Sequence, residues 1–341
     1  MYNFKNDYSE GAHPRILEKL VETNLIQQLG YGEDDYSKEA KTILRNKIDN
    51  QRAVIHFLSG GTQTNLLVIS FLLRVHEAVI SAKTGHISAN ETGAIEATGH
   101  KVITVETADG KLTPEDITKT LNDHALAPHV VKPRIVYISN STEIGTIYSL
   151  AELKALYLCC QQQQLLLYLD GARLGHALTA ENNDLTFAAI AKYSDVFYIG
   201  GTKNGALLGE AVVFNHPDLA QDFDYAIKQK GAMLAKGRVL SIQFLVLFKD
   251  DLYLELAWKA NSLAMRMAKA IKDRGYSFLT DSTTNQIFPI LPKSVINTLL
   301  LDYQFYIWKE IDHDHAAIRL ITSWATNETQ VNNFINDILN S

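Results

Sequence analysis

Cysteine is nearly absent from this 341-residue chain, which has two, Cys159 and Cys160, side by side. Adjacent helical positions cannot close an ordinary bridge, and a lone pair is not a metal-ligand spacing. A disulfide scaffold is therefore excluded, and the two read as small buried apolar residues in a reducing cytoplasm. Long apolar runs are missing as well. No stretch approaches the ~20 residues that span a bilayer, and the first residues, Met1-Tyr2-Asn3-Phe4-Lys5, lack a basic-then-apolar signal pattern. Positive charge is not in excess: 32 Lys and Arg against 38 Asp and Glu give a net charge of −6. That balance argues against nucleic acid or an anionic membrane as the main partner. No internal repeat is present. What remains, 46% hydrophobic and 21% charged, is an ordinary globular composition, long enough for one large domain and a smaller one.

Seven short apolar runs alternate with amphipathic helical stretches, at residues 54–58, 78–81, 101–105, 134–138, 165–169, 196–199 and 211–214. Most are continuously apolar, as central strands covered by helices on both faces should be. They predict an α/β domain built on a mostly parallel seven-stranded sheet. After about residue 218 the pattern changes to a long helical region reaching about residue 272, with a break near 249–251. Strands at 286–290, 305–308 and 318–322 and a closing helix at 328–339 follow. The expected organisation is an N-terminal arm (1–13), a large domain (14–240) and a small C-terminal α+β domain (241–341).

Candidate chemistry lies where predicted strands end. The run ending at Ile199 opens into Gly200-Gly201-Thr202-Lys203-Asn204-Gly205, and the carboxyl edge of an open α/β sheet is where ligands bind. Lys203 is the only charged residue between Asp195 and Glu210. A lysine in low-polarity surroundings becomes a nucleophilic amine, suited to a Schiff base with pyridoxal 5′-phosphate (PLP). Asp170 ends another strand and is followed by Gly171-Ala172-Arg173. A buried carboxylate there needs a partner, either the protonated pyridine nitrogen of PLP or Arg173 itself. Gly60-Gly61-Thr62 turns a strand into a helix, a start at which backbone N–H groups can hold a phosphate. His86 follows the strand at 78–81 and could stack on a flat cofactor and move protons. Lys236, Arg238 and Arg319 read individually as surface charges. So does the cluster Asp312-His313-Asp314-His315, for which a metal site is the rival reading.

The phosphate turn, His86, Asp170 and Lys203 come in the order that a PLP enzyme of the aspartate-aminotransferase fold requires. With Asn6-Asp7-Tyr8-Ser9, Tyr31-Gly32-Glu33-Asp34, Thr142-Glu143-Ile144-Gly145 and Ile318-Arg319-Leu320, they make the chain resemble the low-specificity L-threonine aldolases of the β-eliminating lyase group. The resemblance covers nearly the whole chain. It implies PLP-dependent cleavage of L-threonine, L-allo-threonine or other β-hydroxy-α-amino acids to glycine and an aldehyde. Lys203 would carry PLP, Asp170 would pair with the ring nitrogen and His86 would stack on its face. Gly61, Thr62 and Thr202 would hold the phosphate, with Arg238 assisting. Arg173 and Arg319 would clamp the substrate carboxylate, near Asn6, where many relatives have serine. Tyr31 would reach an active site across a subunit interface, in a homodimer or homotetramer. For the base that takes the β-hydroxyl proton, His86, alone or through a water held with Glu91, ranks above Glu143. Two rivals stand beside this: β-elimination or a phenylserine-type aldolase on the same scaffold, and a PLP-free binding or regulatory module.

Overall fold

Seven strands form the larger sheet: β1 (Val54–Leu58), β2 (Glu77–Ala82), β3 (Lys101–Val105), β4 (Lys132–Ser139), β5 (Leu166–Asp170), β6 (Val196–Gly200) and β7 (Glu210–Phe214). The computed structural model describes residues 1–340. The spatial order is β1-β7-β6-β5-β4-β2-β3. Strand β7 pairs antiparallel with both β6 and β1, and the other neighbours pair parallel. All seven expected strands are present within one or two residues of their anticipated ends.

Alternate residues of each strand point to opposite faces. Ile138, Leu167, Leu169, Phe197 and Ile199 join one buried cluster, with the helices Arg238–Lys249 and Leu150–Gln162. Tyr137, Tyr168, Tyr198 and Val212 join the other, under the helix Gly61–Leu72. Three neighbouring strands thus place three tyrosines on one face. Burying a hydroxyl without a partner costs about 1–3 kcal/mol, so these phenols need acceptors close by.

The smaller sheet contains β8 (Gln286–Ile287), β9 (Ile290–Pro292), β10 (Tyr306–Glu310) and β11 (His315–Ile321), all antiparallel to β11. The expected single strand at 286–290 is interrupted at Phe288 and Pro289, since proline has no N–H to give a ladder. Residue 240 falls inside the helix Arg238–Lys249, which packs on the large sheet. We place the change of core within the following helix, Leu252–Asp273: Tyr253 and Leu256 pack with the large sheet, Leu263 and Met267 with the small one. The N-terminal arm is anchored at its start, while residues 8–11 are exposed, as their polar sequence suggests. Tyr2 and Asn3 pair with Tyr303 and Gln304, and Phe4 and Asp7 are buried. Cys159 and Cys160 are buried free thiols. No helix among the described residues is long and apolar enough to cross a membrane.

Candidate active site

The carboxyl ends of β1, β5 and β6 open into a cavity of about 720 Å³, a size that suits a small cofactor with its substrate. Its wall includes Gly61, Thr62, His86, Glu143, Asp170, Arg173, Thr202, Lys203 and Glu210 from the larger sheet's side. Asn6 and Tyr8 of the arm and Tyr306, Trp308 and Arg319 of the smaller sheet close it.

Asp170 terminates β5 at 3% exposure. Its Oδ1 accepts from the Tyr198 hydroxyl at 2.5 Å and the Ala172 N–H at 2.9 Å. Its Oδ2 accepts from the Tyr137 hydroxyl at 2.5 Å and Asn65 Nδ2 at 3.2 Å. Tyr168 donates to Asn65 Oδ1 at 2.8 Å, which fixes the amide's orientation. All three tyrosine hydroxyls of the sheet face are thereby used, two of them on Asp170. These donors are all neutral, so Asp170 gains no compensating cation from them. The alternative of an Asp170–Arg173 ion pair is not realised.

Arg173 pairs instead with Asp7, Nε to Oδ2 at 2.7 Å and Nη2 to Oδ1 at 3.0 Å. Asp7 also accepts from Asn285 Nδ2 at 2.9 Å. Burial alone would raise the Asp7 carboxyl, but Arg173 and Lys203 hold it far below the usual carboxylate range. The contact uses one edge of a planar guanidinium, and Nη1 lies on the other. Arg319 lies 4.8 Å from the Trp308 ring centre and 5.3 Å from that of Tyr306, a stacking that aligns its plane.

Lys203 is half-buried, and desolvation of its amine together with the neighbouring Arg173 lowers its pKa, against the pull of Asp7, Glu143 and Asp170. The turn after Lys203 closes on Gly205 at φ +93°, where a Cβ would also meet Leu256 at 2.5 Å. His86 opens a single helical turn and its Nδ1 lies 2.8 Å from Glu91 Oε1. Burial would lower the imidazole pKa, but the bond to Glu91, with Glu143 and Asp170 near, raises it above its ordinary value. Asn65 also donates to Glu91 Oε1, at 2.8 Å, linking the histidine's partner to the Asp170 network.

The residues present fit PLP. The helix Gly61–Leu72 starts at Gly60 without a side-chain cap, so its first N–H groups face the cavity beside Gly61 and Thr62. Lys203 and the buried Asp170 share the same wall.

Arg238 is not at this chain's cavity, and Tyr31, expected at a site across a subunit interface, lies beside it. Arg238, expected at the phosphate, begins the helix Arg238–Lys249 and donates to the Ile26 carbonyl at 2.5 Å and to that of Asn24 at 3.1 Å. Those carbonyls follow the helix Pro14–Thr23 and need donors. Tyr31 sits in the adjoining turn, bonded through its N–H to Ala235 O at 3.0 Å, and neither residue lines this chain's cavity. Asp312 to His315 form an exposed, internally hydrogen-bonded turn between β10 and β11. Sequence reasoning passed over Asp7, Asn65, Tyr137, Tyr198 and Glu210. Asp7 stood inside a motif already noted and Asn65 three residues beyond the turn Gly60-Gly61-Thr62, whereas nothing local marked the tyrosines or Glu210.

The chain matches the beta-eliminating lyase family over residues 13–293. A low specificity L-threonine aldolase from Pseudomonas aeruginosa is 33% identical over 98% of this chain and 96% of its own length. A second, from Saccharomyces cerevisiae, is 23% identical over 83% of this chain and 73% of its own length. A solved threonine aldolase structure from Leishmania major is 43% identical and superposes with a TM-score of 0.97, covering 99% of this chain and 98% of its own. An aspartate aminotransferase from Thermus thermophilus shares the fold, at a TM-score of 0.73 and 13% identity over 100% of this chain and 91% of its own. With these matches spanning nearly its whole length, the chain belongs to the beta-eliminating lyase family, a group of PLP-dependent enzymes.

Proposed function

We propose that this protein is an aldehyde-lyase that cleaves L-threonine, L-allo-threonine and related β-hydroxy-α-amino acids to glycine and an aldehyde. The observation that carries the reading is one cavity holding a half-buried amine of lowered pKa (Lys203), a carboxylate fixed by four donors (Asp170), two arginines and a carboxylate-bound histidine. PLP, when bound, supplies an imine-forming aldehyde and a conjugated ring that accepts electrons from a breaking Cα–Cβ bond.

The protein's part is orientation and proton handling. Arg173 and Arg319 hold the substrate carboxylate, so that the Cα–Cβ bond stands in the orientation for cleavage. Asp170 would accept a hydrogen bond from the protonated ring nitrogen and so hold the proton that lets the ring accept electrons. Lys203, whose pKa is lowered by desolvation and by Arg173, gives up its proton more readily than a free lysine and supplies the amine that exchanges with the substrate's amino group. His86 binds Glu91 through Nδ1, which leaves Nε2 as the acceptor of the β-hydroxyl proton.

A homodimer or homotetramer fits the surface. Val21 and Leu25 are 78% and 92% exposed on and just after the helix Pro14–Thr23, next to the turn of Tyr31 and Arg238. A second copy covering this row would let Tyr31 and Arg238 act at its partner's cavity. The buried thiols suit a cytoplasmic location.

A visible spectrum of the purified protein, followed by product analysis with L-threonine, tests the reading. A yellow protein releasing acetaldehyde and glycine is expected. Pyruvate and ammonia in their place would move the assignment to β-elimination, and a protein that stays colourless after incubation with PLP would end it.

A further inference from the structure

Glu210 begins β7, the one antiparallel strand of the larger sheet, so a carboxylate enters at the edge where β1 and β6 end. Leu58 and Gly200 flank it in register. Glu210 is 4% exposed and lines the cavity with Gly60, Gly61, Thr62 and Thr202. Its Oε1 is 2.8 Å from the Thr202 hydroxyl, and its Oε2 has no hydrogen-bond partner. Thr202 Oγ1 also accepts the Gly209 N–H at 3.0 Å.

A hydroxyl has one proton and two lone pairs. If Glu210 is ionised, the Thr202 proton lies on Glu210, and Thr202 offers an anion only lone pairs. If Glu210 is protonated, it donates to Thr202 Oγ1, whose two lone pairs take Glu210 and Gly209, and the Thr202 proton turns to the cavity. We propose that Glu210 is a neutral carboxylic acid in the holoenzyme and reverses its hydrogen bond with Thr202, so that Thr202 donates to the cofactor's phosphate. Glu210 is then a positioning residue, and the inference rests on Thr202 being a phosphate contact.

The surroundings favour the neutral form. Burial raises the Glu210 pKa to about 8, against the Thr202 hydrogen bond and Lys203, while Asp170 raises it. The Tyr168, Tyr198 and Tyr253 hydroxyls lie within electrostatic range of it but bond to Asn65, Asp170 and the Gly200 carbonyl, and burial raises the pKa of all three. The helix Arg238–Lys249 brings only Leu240 and Phe244 against the adjoining Gly209. A bound phosphate adds negative charge and raises the proton's affinity for Glu210 further. Because the folded-state pKa is raised, the donating arrangement is present at neutral pH and lost as pH rises through the folded value.

Infrared spectra of the holoenzyme against pH, with phosphorus NMR of its bound cofactor, test this on the wild type and Glu210→Gln. At neutral pH the wild type should show a carboxylic-acid carbonyl band that Glu210→Gln lacks. The band should vanish above about pH 8, and the phosphorus resonance should shift with the same midpoint. In Glu210→Gln, whose amide donates at every pH, that shift should be lost. Absence of the band at neutral pH overturns the proposal, and so does a phosphorus titration unchanged in Glu210→Gln. An unchanged phosphorus resonance in Thr202→Val also overturns it, by removing Thr202 from the phosphate while leaving the infrared band in place.

Discussion

Asp7 and Arg173, 166 positions apart, meet in a two-point ion pair with contacts of 2.7 and 3.0 Å. The N-terminal arm thus orients an arginine that begins a turn behind Asp170, and Asn285 ties the same carboxylate to the smaller sheet. Removing one partner of a buried pair leaves an uncompensated charge, at about 3 kcal/mol. Asp7→Asn should therefore lower the chemical-denaturation midpoint and raise KM more than it lowers kcat. The acid dependence should change too. The Asp7 pKa is depressed in the folded state, so its contribution is present above the ordinary value of 3.8 and lost as pH falls below it. Asp7→Asn should lack that part of the acid transition, which denaturation curves at several pH values would show.

Lys203→Ala removes the only lysine of the cavity's lining. Aldehyde release from L-threonine should fall below detection, and borohydride should no longer attach the cofactor to the chain. Near-normal glycine formation in this variant would refute the assignment of Lys203.

Glu91→Gln probes the histidine. The bond to Glu91 raises the His86 pKa above its ordinary 6.5, so a base at this position becomes active only as pH rises through that raised value. With a neutral partner, the acidic limb of kcat/KM should move to lower pH. Loss of a well-placed base costs about 10²–10⁴-fold, and His86→Ala should fall in that range. A limb that stays in place in Glu91→Gln would transfer the role to another group.

Gly171→Ala tests how tightly the Asp170 turn is built. A Cβ at this position would stand 1.9 Å from the Tyr198 carbonyl oxygen, which belongs to the neighbouring strand and cannot move alone. Such overpacking costs about 3 kcal/mol or more, and it would displace the Tyr198 hydroxyl from Asp170. Weakened cofactor retention together with a lower melting temperature is expected.

Leu25→Asp puts a charge in the exposed apolar row. A substitution at a surface position changes the stability of a single chain by about 0.5 kcal/mol or less. Light scattering should nonetheless show dissociation to a single-chain mass, with activity falling alongside. An intact oligomer would place the interface elsewhere.

Local sequence alone determined much of this protein. The continuous apolar runs specified the seven strands, because a strand covered on both faces has no polar side to show. Glycine-rich strand ends marked Lys203 and the phosphate turn, and Asp170 was legible as a charge at the end of an apolar run. The tertiary structure decided the rest. An apolar run such as 211–214 does not reveal its direction, so the reversal that brings Glu210 to the site came only with strand pairing. The tyrosines at 137 and 198 read as core residues until the pleat placed both hydroxyls on Asp170. Arg173 found Asp7 rather than its near neighbour Asp170, and Arg238 and Tyr31 turned away from their own cavity. Periodicity and turn chemistry act over a few residues and are written in order along the chain. Which charge meets which depends on how distant segments pack, and only the folded chain holds that information.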